Sequence, residues 1–352
     1  MTLPTPSLSS IAIQSLLLVG LFFVFPSFPA FAQTTGDLRL VTSPLPINLI
    51  VEPGNSISTP IRIQNQGTNT ETLKLTVMKF QAYGEEGAPR LLDPEPGDDF
   101  IHWVHFSEDT FKVNQNEWKT ITASFDVPPT AAFGYYYAFV FSRASEKVAE
   151  GETTLAGGTA ILALLEAKVP NAKREVAVTT FQVDRAWYEF LPVSFTVKLS
   201  NTGNVHIAPR GNIFIGRENE KEEAILEVNH EKGSILPDSG RSFAAQWNDG
   251  FLRYQDKKED GKVKHNDDGT IEQVLEWNWK DASKLRFGKY EAKLLLIYDD
   301  GHRDVPLEGV VSFWVVPWRL LLALVVNIGI IIGFFYLLFS VIRMQRRLNK
   351  KG

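Results

Sequence analysis

Two histidines, His102 and His105, stand three residues apart in the segment FIHWVHF. On a helix this spacing would place both imidazoles on one face, where they could share a metal ion. The surrounding residues alternate as in a β-strand, however, and residues i and i+3 of a strand point to opposite faces. The pattern therefore predicts no shared metal here, and the other four histidines are scattered along the chain.

The segment DKKEDGKVKHND, residues 256–267, partly matches a calcium-binding loop. Asp256 stands first, Asp260 fifth and Gly261 sixth, with an acid in the last position. The third position holds Lys258, where a calcium loop needs an oxygen ligand. Neighbouring lysines weaken the negative field further. A solvated, flexible loop without calcium is the prediction.

Two catalytic motifs are absent from the sequence, although a Ser/His/Asp site assembled by the fold would not be visible in it. The sequence contains no G-x-S-x-G nucleophile elbow and no P-loop. We therefore predict a protein that is not an enzyme, with no catalytic residue, no cofactor and no metal site.

Aromatic residues cluster in or beside predicted strands, and the core of a β-sandwich accounts for most of them. Alternation places Tyr135 and Tyr137 on one face of a strand and Tyr136 on the other, so that at least one ring could be exposed. Trp277 and Trp279 share a face in the segment EWNWK. The other members of this aromatic set are Trp103, Trp118, Phe133 and Trp247.

Short alternating apolar runs separated by turn residues fill the chain from 33 to 318, a pattern typical of β-sandwiches. The first half predicts strands at Leu45–Val51, Thr59–Gln64, Thr72–Phe80, Ile101–Phe106, Trp118–Val127, Tyr135–Ser142 and Ile161–Lys168. The second half predicts strands at Val176–Phe181, Val193–Ser200, Val205–Ile215, Ile225–Val228, Ser242–Trp247, Tyr290–Tyr298 and Val310–Val315. Pro170 to Lys173 is a plausible linker between the halves.

Two motifs recur in the same order, which predicts two copies of one fold. IRIQNQG (Ile61–Gly67) resembles VKLSNTG (Val197–Gly203), a strand that ends in Asn-x-Gly. AFGYYYAFVF (Ala132–Phe141) resembles RFGKYEAKLLLIY (Arg286–Tyr298), where Phe-Gly-x-Tyr opens a strand. The tyrosine of the Phe-Gly-x-Tyr motif resembles the tyrosine corner of Greek-key sandwiches, in which the tyrosine hydroxyl bonds to upstream backbone. The second copy is longer because it carries a polar insertion at 253–272.

Both ends of the chain predict membrane targeting. Residues 1–32 contain a long apolar run closed by Ala30-Phe31-Ala32, the pattern of a cleaved signal peptide, although no basic residue precedes the run. An uncleaved anchor is the alternative. Residues 317–342 predict a transmembrane helix, since Leu320 to Ile342 carries no charge. Residues 343–352 form a basic tail, which the positive-inside rule places in the cytoplasm.

Charge is divided unevenly along the chain. The net charge is −5, and the six basic residues from Arg319 onward leave −11 for segment 33–318. An acidic ectodomain argues against nucleic acid as a partner. Inside the helix, Gly329 and Gly333 form a small-xxx-small pair that allows helix–helix association, although glycines merely tolerated in lipid are an equal alternative.

The order of these features resembles that of bacterial WxL-interacting cell-surface proteins over residues 40–342. The resemblance is most specific in LIVEPGNSISTPIRIQNQG, FDVPPTAAFGYYYAFVF and VSFWVVPWRLLLALVV. The first two segments also resemble immunoglobulin-like domains of pilus chaperones. The resemblance to the WxL-interacting family implies peptidoglycan binding by the first domain and partner binding by the second.

The sequence thus predicts an all-β protein of two tandem immunoglobulin-like sandwiches, 33–170 and 171–316, followed by one transmembrane helix. Its predicted role is a binding or adhesion module anchored in the cell membrane, with the ectodomain outside the cytoplasm. It would contact the cell wall or a surface protein through sandwich faces or sheet edges. The alternative is an accessory or chaperone-like subunit of an envelope complex.

Overall fold

The computed structural model describes residues 38–145, 158–218 and 220–348, with side chains up to Arg343. The predicted signal peptide 1–32 and the last residues of the basic tail lie outside these ranges. The described residues form two β-sandwiches and one long C-terminal helix, as the sequence predicts.

The first sandwich contains ten strands. They are β1 (Leu40–Ser43), β2 (Ile47–Val51), β3 (Ser56–Asn65), β4 (Glu71–Tyr83), β5 (Ala88–Leu92), β6 (Val104–Phe106), β7 (Thr110–Val113), β8 (Trp118–Asp126), β9 (Phe133–Arg143) and β10 (Thr159–Ala167). One sheet has the order β1-β3-β8-β6, and the other has the order β2-β10-β9-β4-β5, with β7 also paired to β4.

The second sandwich repeats this plan. Its main strands are β11 (Val176–Val183), β12 (Trp187–Tyr188), β13 (Val193–Asn201), β14 (Arg210–Gly216), β15 (Glu222–Val228) and β16 (Gly240–Trp247), and after the insertion β21 (Gly288–Asp299) and β22 (Asp304–Val315). The sheets have the orders β11-β13-β16 and β12-β22-β21-β14-β15. In each sandwich the final strand pairs in parallel with a short early strand, β2 with β10 and β12 with β22. This shared strand order is immunoglobulin-like.

In both sandwiches the Asn-x-Gly motif ends a strand, and the asparagine of the motif is buried. The Nδ2 of Asn65 donates to the carbonyls of Asn69 (2.7 Å) and Val113 (3.1 Å), while its Oδ1 accepts from the backbone N–H of Gly67 (2.9 Å). A buried amide with every polar atom satisfied fixes the turn without a desolvation cost.

Asn201 makes the equivalent contacts in the second sandwich. Its Nδ2 donates to the carbonyls of Val205 and Ile235, and its Oδ1 accepts from the N–H of Gly203 (2.8 Å). The segment that contains this motif, LSNTGNVHIAPRGNIFI (Leu199–Ile215), therefore begins with the end of strand β13 and continues as a turn. Strand structure resumes only at Arg210, so the predicted strand Val205–Ile215 is too long at its start.

The second repeated motif is offset by one residue between the copies. Phe133 and Gly288, each opening a strand, both adopt positive φ (66° and 118°). Two residues later, Tyr135 and Tyr290 face their cores. The aligned glycines of Phe-Gly-x-Tyr are therefore not equivalent, although the hydroxyl of Tyr135 does accept a bond from upstream backbone, from the N–H of Ala132 (3.1 Å).

The insertion 253–272 contains strands, two of them within the segment 256–267. Strands β17 (Leu252–Asp256) and β20 (Gln273–Trp277) form a ribbon, and β18 (Lys258–Glu259) and β19 (Lys262–Val263) form a smaller hairpin above it. Asp260 and Gly261 have positive φ and make the two-residue turn of that hairpin. Ion pairs of Lys257 with Glu272 and of Arg253 with Glu276 join the two sides of the ribbon.

The C-terminal helix, α1 (Trp318–Leu348), is separated from the end of β22 by two residues. Its segment Trp318–Arg343 is long and apolar enough to cross a membrane, with a mean hydropathy of 2.6. Its side chains are exposed because it projects from the sandwich without packing on it.

We expect Asn65→Ala to lower the free energy of unfolding of the first sandwich by about 2–4 kcal/mol, because it strips hydrogen-bond partners from buried backbone groups that each cost about 1–3 kcal/mol when unpaired. Urea unfolding of the full chain in detergent, followed by tryptophan fluorescence, measures this loss. Gln66→Ala, one residue away and exposed, is the matched control and should change stability by less than about 0.5 kcal/mol. Equal effects of the two substitutions would contradict the role given to Asn65.

Candidate functional site

Strands β9 and β10 are apolar on both faces. On the side facing the sandwich core, Tyr137, Phe139 and Phe141 are fully buried. On the other side, Ala138 and Val140 of β9 and Leu164 of β10 form a second apolar layer with Phe80 of β4. A sheet with two apolar faces needs cover on both, so its outer face must meet something besides water.

The second sandwich covers part of this outer face. Leu236, from the segment before β16, packs into the outer apolar layer. The ring of Tyr136 meets Phe80 and His206 edge to face, each with 5.9 Å between ring centroids. Tyr136 also lies over Gly134, where an added Cβ would fall 2.2 Å from its hydroxyl oxygen. Tyr136 thus lies on the opposite face from Tyr137, as alternation predicts, and that face meets the second sandwich.

Polar contacts hold the two sandwiches together at both ends of this interface. Glu85, in the β4–β5 turn, forms an ion pair with Lys198 (2.8 Å), and its carbonyl accepts from the N–H of Ser242 (2.6 Å). At the other end, the buried Glu166 of β10 pairs with Arg174, which stands just before β11. The central part of the outer face lies between these two contacts.

A cleft of about 860 Å³ remains there between the sandwiches. Its floor is the uncovered part of the outer layer. Its rim comes from the segments around the β4–β5 turn, β2 and the loop before β16. The floor residues are Phe80, Ala82, Leu91, Ala160, Leu162 and Leu164, and the polar rim residues include Glu86, Glu231, Ser234 and Arg241.

One side of the cleft ends at an open sheet edge. Strand β2 pairs with β10 only from Ala163 to Ala167. Among the residues that the structure describes, no strand pairs with Thr159–Leu162 on that side. A strand edge without a partner offers main-chain donors and acceptors that an added strand can bond. The apolar floor of the cleft and the open edge therefore lie next to each other on strand β10.

Burial controls the ionisation of the groups behind the cleft. Burial, together with the smaller effect of the nearby positive charge of Arg174, lowers the pKa of His206 to about 4. Burial raises the pKa of the Tyr136 hydroxyl, with the charge of Glu166 acting in the same direction. His206 is therefore neutral at pH 7 and serves as packing in the interface.

The candidate metal residues do not meet in the structure. His102 lies in a 3-10 helix, Asp99–Trp103, rather than in the strand that its sequence predicts, and it is exposed. His105 is exposed on β6, with its Nε2 3.6 Å from a carboxylate oxygen of Asp126. In the described part of the chain, no group of three His, Asp or Glu residues is placed to hold a metal ion.

The aromatic predictions divide between core and surface. Trp247 is fully buried, whereas Trp118, Trp277 and Trp279 are exposed. Strand β20 ends at Trp277 and a 3-10 helix, Trp279–Asp281, follows, so the two rings do not share a strand face as predicted. They stack nevertheless, with centroids 6.0 Å apart.

Sequence reasoning missed the cleft floor. The signal was available in the nearly unbroken apolar runs YYYAFV and AILALL of β9 and β10. A strand buried on one face alternates, whereas one buried on both faces reads as a continuous run.

Comparison with known families finds no family that matches this chain, and no curated protein matches it. Solved structures do match. A crystal structure of the class 5 fimbriae chaperone CfaA shares 11% identity, covers 79% of this chain and 100% of its own, and gives a TM-score of 0.35. A crystal structure of the CsuC–CsuE chaperone–tip adhesion subunit pre-assembly complex from Csu pili of Acinetobacter baumannii shares 12% identity. It covers 77% of this chain and 97% of its own, with a TM-score of 0.34.

The CupB2 chaperone of Pseudomonas aeruginosa shares 8% identity and covers 78% of this chain and 100% of its own, with a TM-score of 0.32. TM-scores this low carry no argument about function.

We expect the chain to lose stability as pH falls from about 6.5 towards 4, because the unfolded chain then binds a proton that the folded His206 does not. His206→Phe keeps a ring against Tyr136 and removes this titration. The drop in unfolding free energy between pH 7 and pH 4.5 should shrink by roughly 2–3 kcal/mol in the variant. Urea unfolding at both pH values measures it, and an unchanged drop would contradict the assignment. His102→Phe, which removes an exposed imidazole, should behave as wild type.

Proposed function

We propose that this chain is a membrane-anchored accessory protein that holds an extended segment of a protein partner in the cleft between its sandwiches. The single observation that carries the proposal is that the apolar cleft floor continues into the free edge of Thr159–Leu162. The ectodomain lies outside the cytoplasm and α1 crosses the membrane, as the basic tail favours.

The free edge supplies affinity through the main chain, and the cleft supplies selectivity. Each backbone hydrogen bond contributes only about 0.5–1.5 kcal/mol net, so pairing along four residues is weak after the entropy of association is subtracted. Burying one Leu-sized side chain adds about 1.5–3 kcal/mol. A partner strand with apolar residues at alternate positions would place them over Ala160 and Leu162.

The character of the floor favours a protein segment over a cell-wall glycan. Sugar hydroxyls need hydrogen-bond partners when they leave water. The six floor residues carry only apolar side chains, and the polar groups stand at the rim. Peptidoglycan binding, implied by the resemblance to the WxL-interacting family, therefore has less support than binding of an extended apolar peptide. Membership of that family itself stays a prediction.

The size of the cleft alone would also fit a small molecule, since ligand pockets span about 300–1,000 Å³. Continuity with an open strand edge distinguishes the two cases, because a small molecule has no use for a row of main-chain donors and acceptors. An extended peptide uses both features.

Photocrosslinking in native membranes tests the proposal. We expect p-benzoylphenylalanine at Leu162 to give a discrete protein adduct. The same group at His105, on the exposed edge strand β6 of the opposite sheet, is the matched control and should give none. A second substitution, Ala160→Asp, should abolish the Leu162 adduct, because it places a charge on the apolar floor.

Adducts of equal yield at both positions would contradict a specific site in the cleft. An adduct whose mass falls on muramidase digestion would identify wall glycan and favour the adhesion alternative. Circular dichroism of each variant verifies that the sandwiches remain folded.

The glycine pair of α1 generates a separate prediction about association in the membrane. Gly329 and Gly333 lie on one face of the helix, and the space where their side chains would be is open. We expect Gly329→Leu/Gly333→Leu to reduce self-association of the full chain in bilayers by about tenfold, as a loss of about 1.4 kcal/mol would. Fluorescence energy transfer between labelled chains measures it, with Ile331→Leu, on another face, as the control. An unchanged signal would mean that the glycines are merely tolerated in the lipid and do not mediate helix–helix association.

A further inference from the structure

The link between the second sandwich and α1 is very short. Strand β22 ends at Val315 and the helix begins at Trp318, so only Val316 and Pro317 lie between them. Both ends of the link are held: the N–H of Val316 donates to the carbonyl of Tyr188 (2.8 Å), and that of Leu321 to the carbonyl of Pro317 (3.0 Å). The sandwich therefore cannot move far from the start of the helix.

An exposed aromatic cluster lies at the same end of this sandwich. Phe251 contacts Trp277 and Trp279, with ring centroids 5.6 Å and 5.2 Å apart. Trp279 is 72% exposed and Trp277 is 48% exposed. Exposed tryptophans packed against one another form an apolar surface patch rather than isolated surface residues. We call Phe251, Trp277 and Trp279 the aromatic cluster.

Strand register fixes the position of this cluster. Gly288 opens β21 opposite Val315, so the segment before Gly288 lies beside the helix start. The N–H of Phe251 donates to the carbonyl of Lys284 in that segment (3.0 Å). The N–H of Asn278 donates to the carbonyl of Phe251 (2.7 Å). The cluster is thus tied by backbone hydrogen bonds to the helix-proximal end.

Further exposed aromatic and apolar side chains share this end. Trp187 of β12 stacks on Trp314 of β22, with centroids 5.2 Å apart and planes 7° from parallel. Phe287 and Leu285 are each about half exposed, and Trp318 opens the helix. Large aromatics therefore stand on more than one side of the point where α1 leaves the sandwich.

The charges beside the cluster are largely compensated. Asp249 and Asp281 both pair with Lys284, at 2.6 Å and 3.0 Å. Glu189, on the neighbouring loop, lies 3.4 Å from Arg319. Lys280, between the cluster and these pairs, is exposed. The end of the sandwich thus presents aromatic rings without a repulsive excess of carboxylates.

These distances and side chains point to one occupant. Two residues reach at most about 7 Å, and the headgroup layer on each side of the hydrocarbon core is about 5–7 Å thick. Tryptophan prefers that layer because its ring is apolar and its N–H is polar. We propose that the helix-proximal end of the second sandwich sits in the lipid headgroup layer, with Trp277 and Trp279 inserted beside α1. This inference rests on α1 crossing the membrane and is independent of what the cleft binds.

Spin labelling tests the proposal directly, because the chain contains no cysteine and a single one can be introduced at will. Trp279→Cys, labelled with a nitroxide in the full chain, is reconstituted at one copy per phosphatidylcholine nanodisc. Oxygen concentrates in lipid, whereas a neutral nickel chelate stays in water, so the ratio of the two relaxation effects reports depth. Trp118→Cys, an exposed tryptophan of the first sandwich, is the matched control.

We expect the oxygen-to-nickel ratio at position 279 to exceed that at 118 by at least threefold in nanodiscs. Similar ratios at 279 and 118 in nanodiscs would overturn the proposal and leave the cluster to a protein partner. If Trp279→Cys does not fold, Lys280→Cys probes the same loop. Because the only other protein in each nanodisc is the scaffold at its rim, a high oxygen-to-nickel ratio at 279 reports contact with lipid rather than with a partner protein.

Discussion

The sheet that contains β9 and β10 has two apolar faces, and the placement of both sandwiches follows from that constraint. One face builds the core of the first sandwich. The other face must also leave water, and a single neighbouring domain covers only part of it. The remaining part is the floor of the cleft. Interface and candidate binding site are thus two portions of one continuous apolar layer.

The buried asparagines determine how the chain enters each sandwich. The N–H of the residue after each asparagine, Gln66 or Thr202, donates to the carbonyl of the residue just before the first strand, Arg39 or Glu175. In the second sandwich that residue, Glu175, lies between the linker and β11. An added Cβ on Gly203 would fall 2.2 Å from the carbonyl oxygen of Lys173, so the turn and the linker touch. A turn that ends a strand thereby also holds the connection between the domains.

Sequence patterns located most of the fold, because strands with one buried face alternate visibly. The ends of β3, β8, β13 and β16 lie within a few residues of the predicted ones. Strand β5 was not predicted, because its residues are mostly exposed and show no apolar alternation. The one-residue offset between the copies was hidden because Phe133 takes the positive φ that a glycine takes in the second copy. Predicting the cleft required knowing which sheet face the second sandwich leaves open, and that is set by contacts distant in sequence, such as Glu85 with Lys198.

The direct passage from β22 into α1 also has a mechanical consequence. The linker enters β11 at the end of the sandwich that carries Asn201, and α1 leaves from the opposite end, where Val315 pairs with Gly288. Tension between a partner held by the first sandwich and the membrane would therefore run along the strands. Such a load shears the whole ladder between β21 and β22, so all its hydrogen bonds resist together instead of opening one at a time.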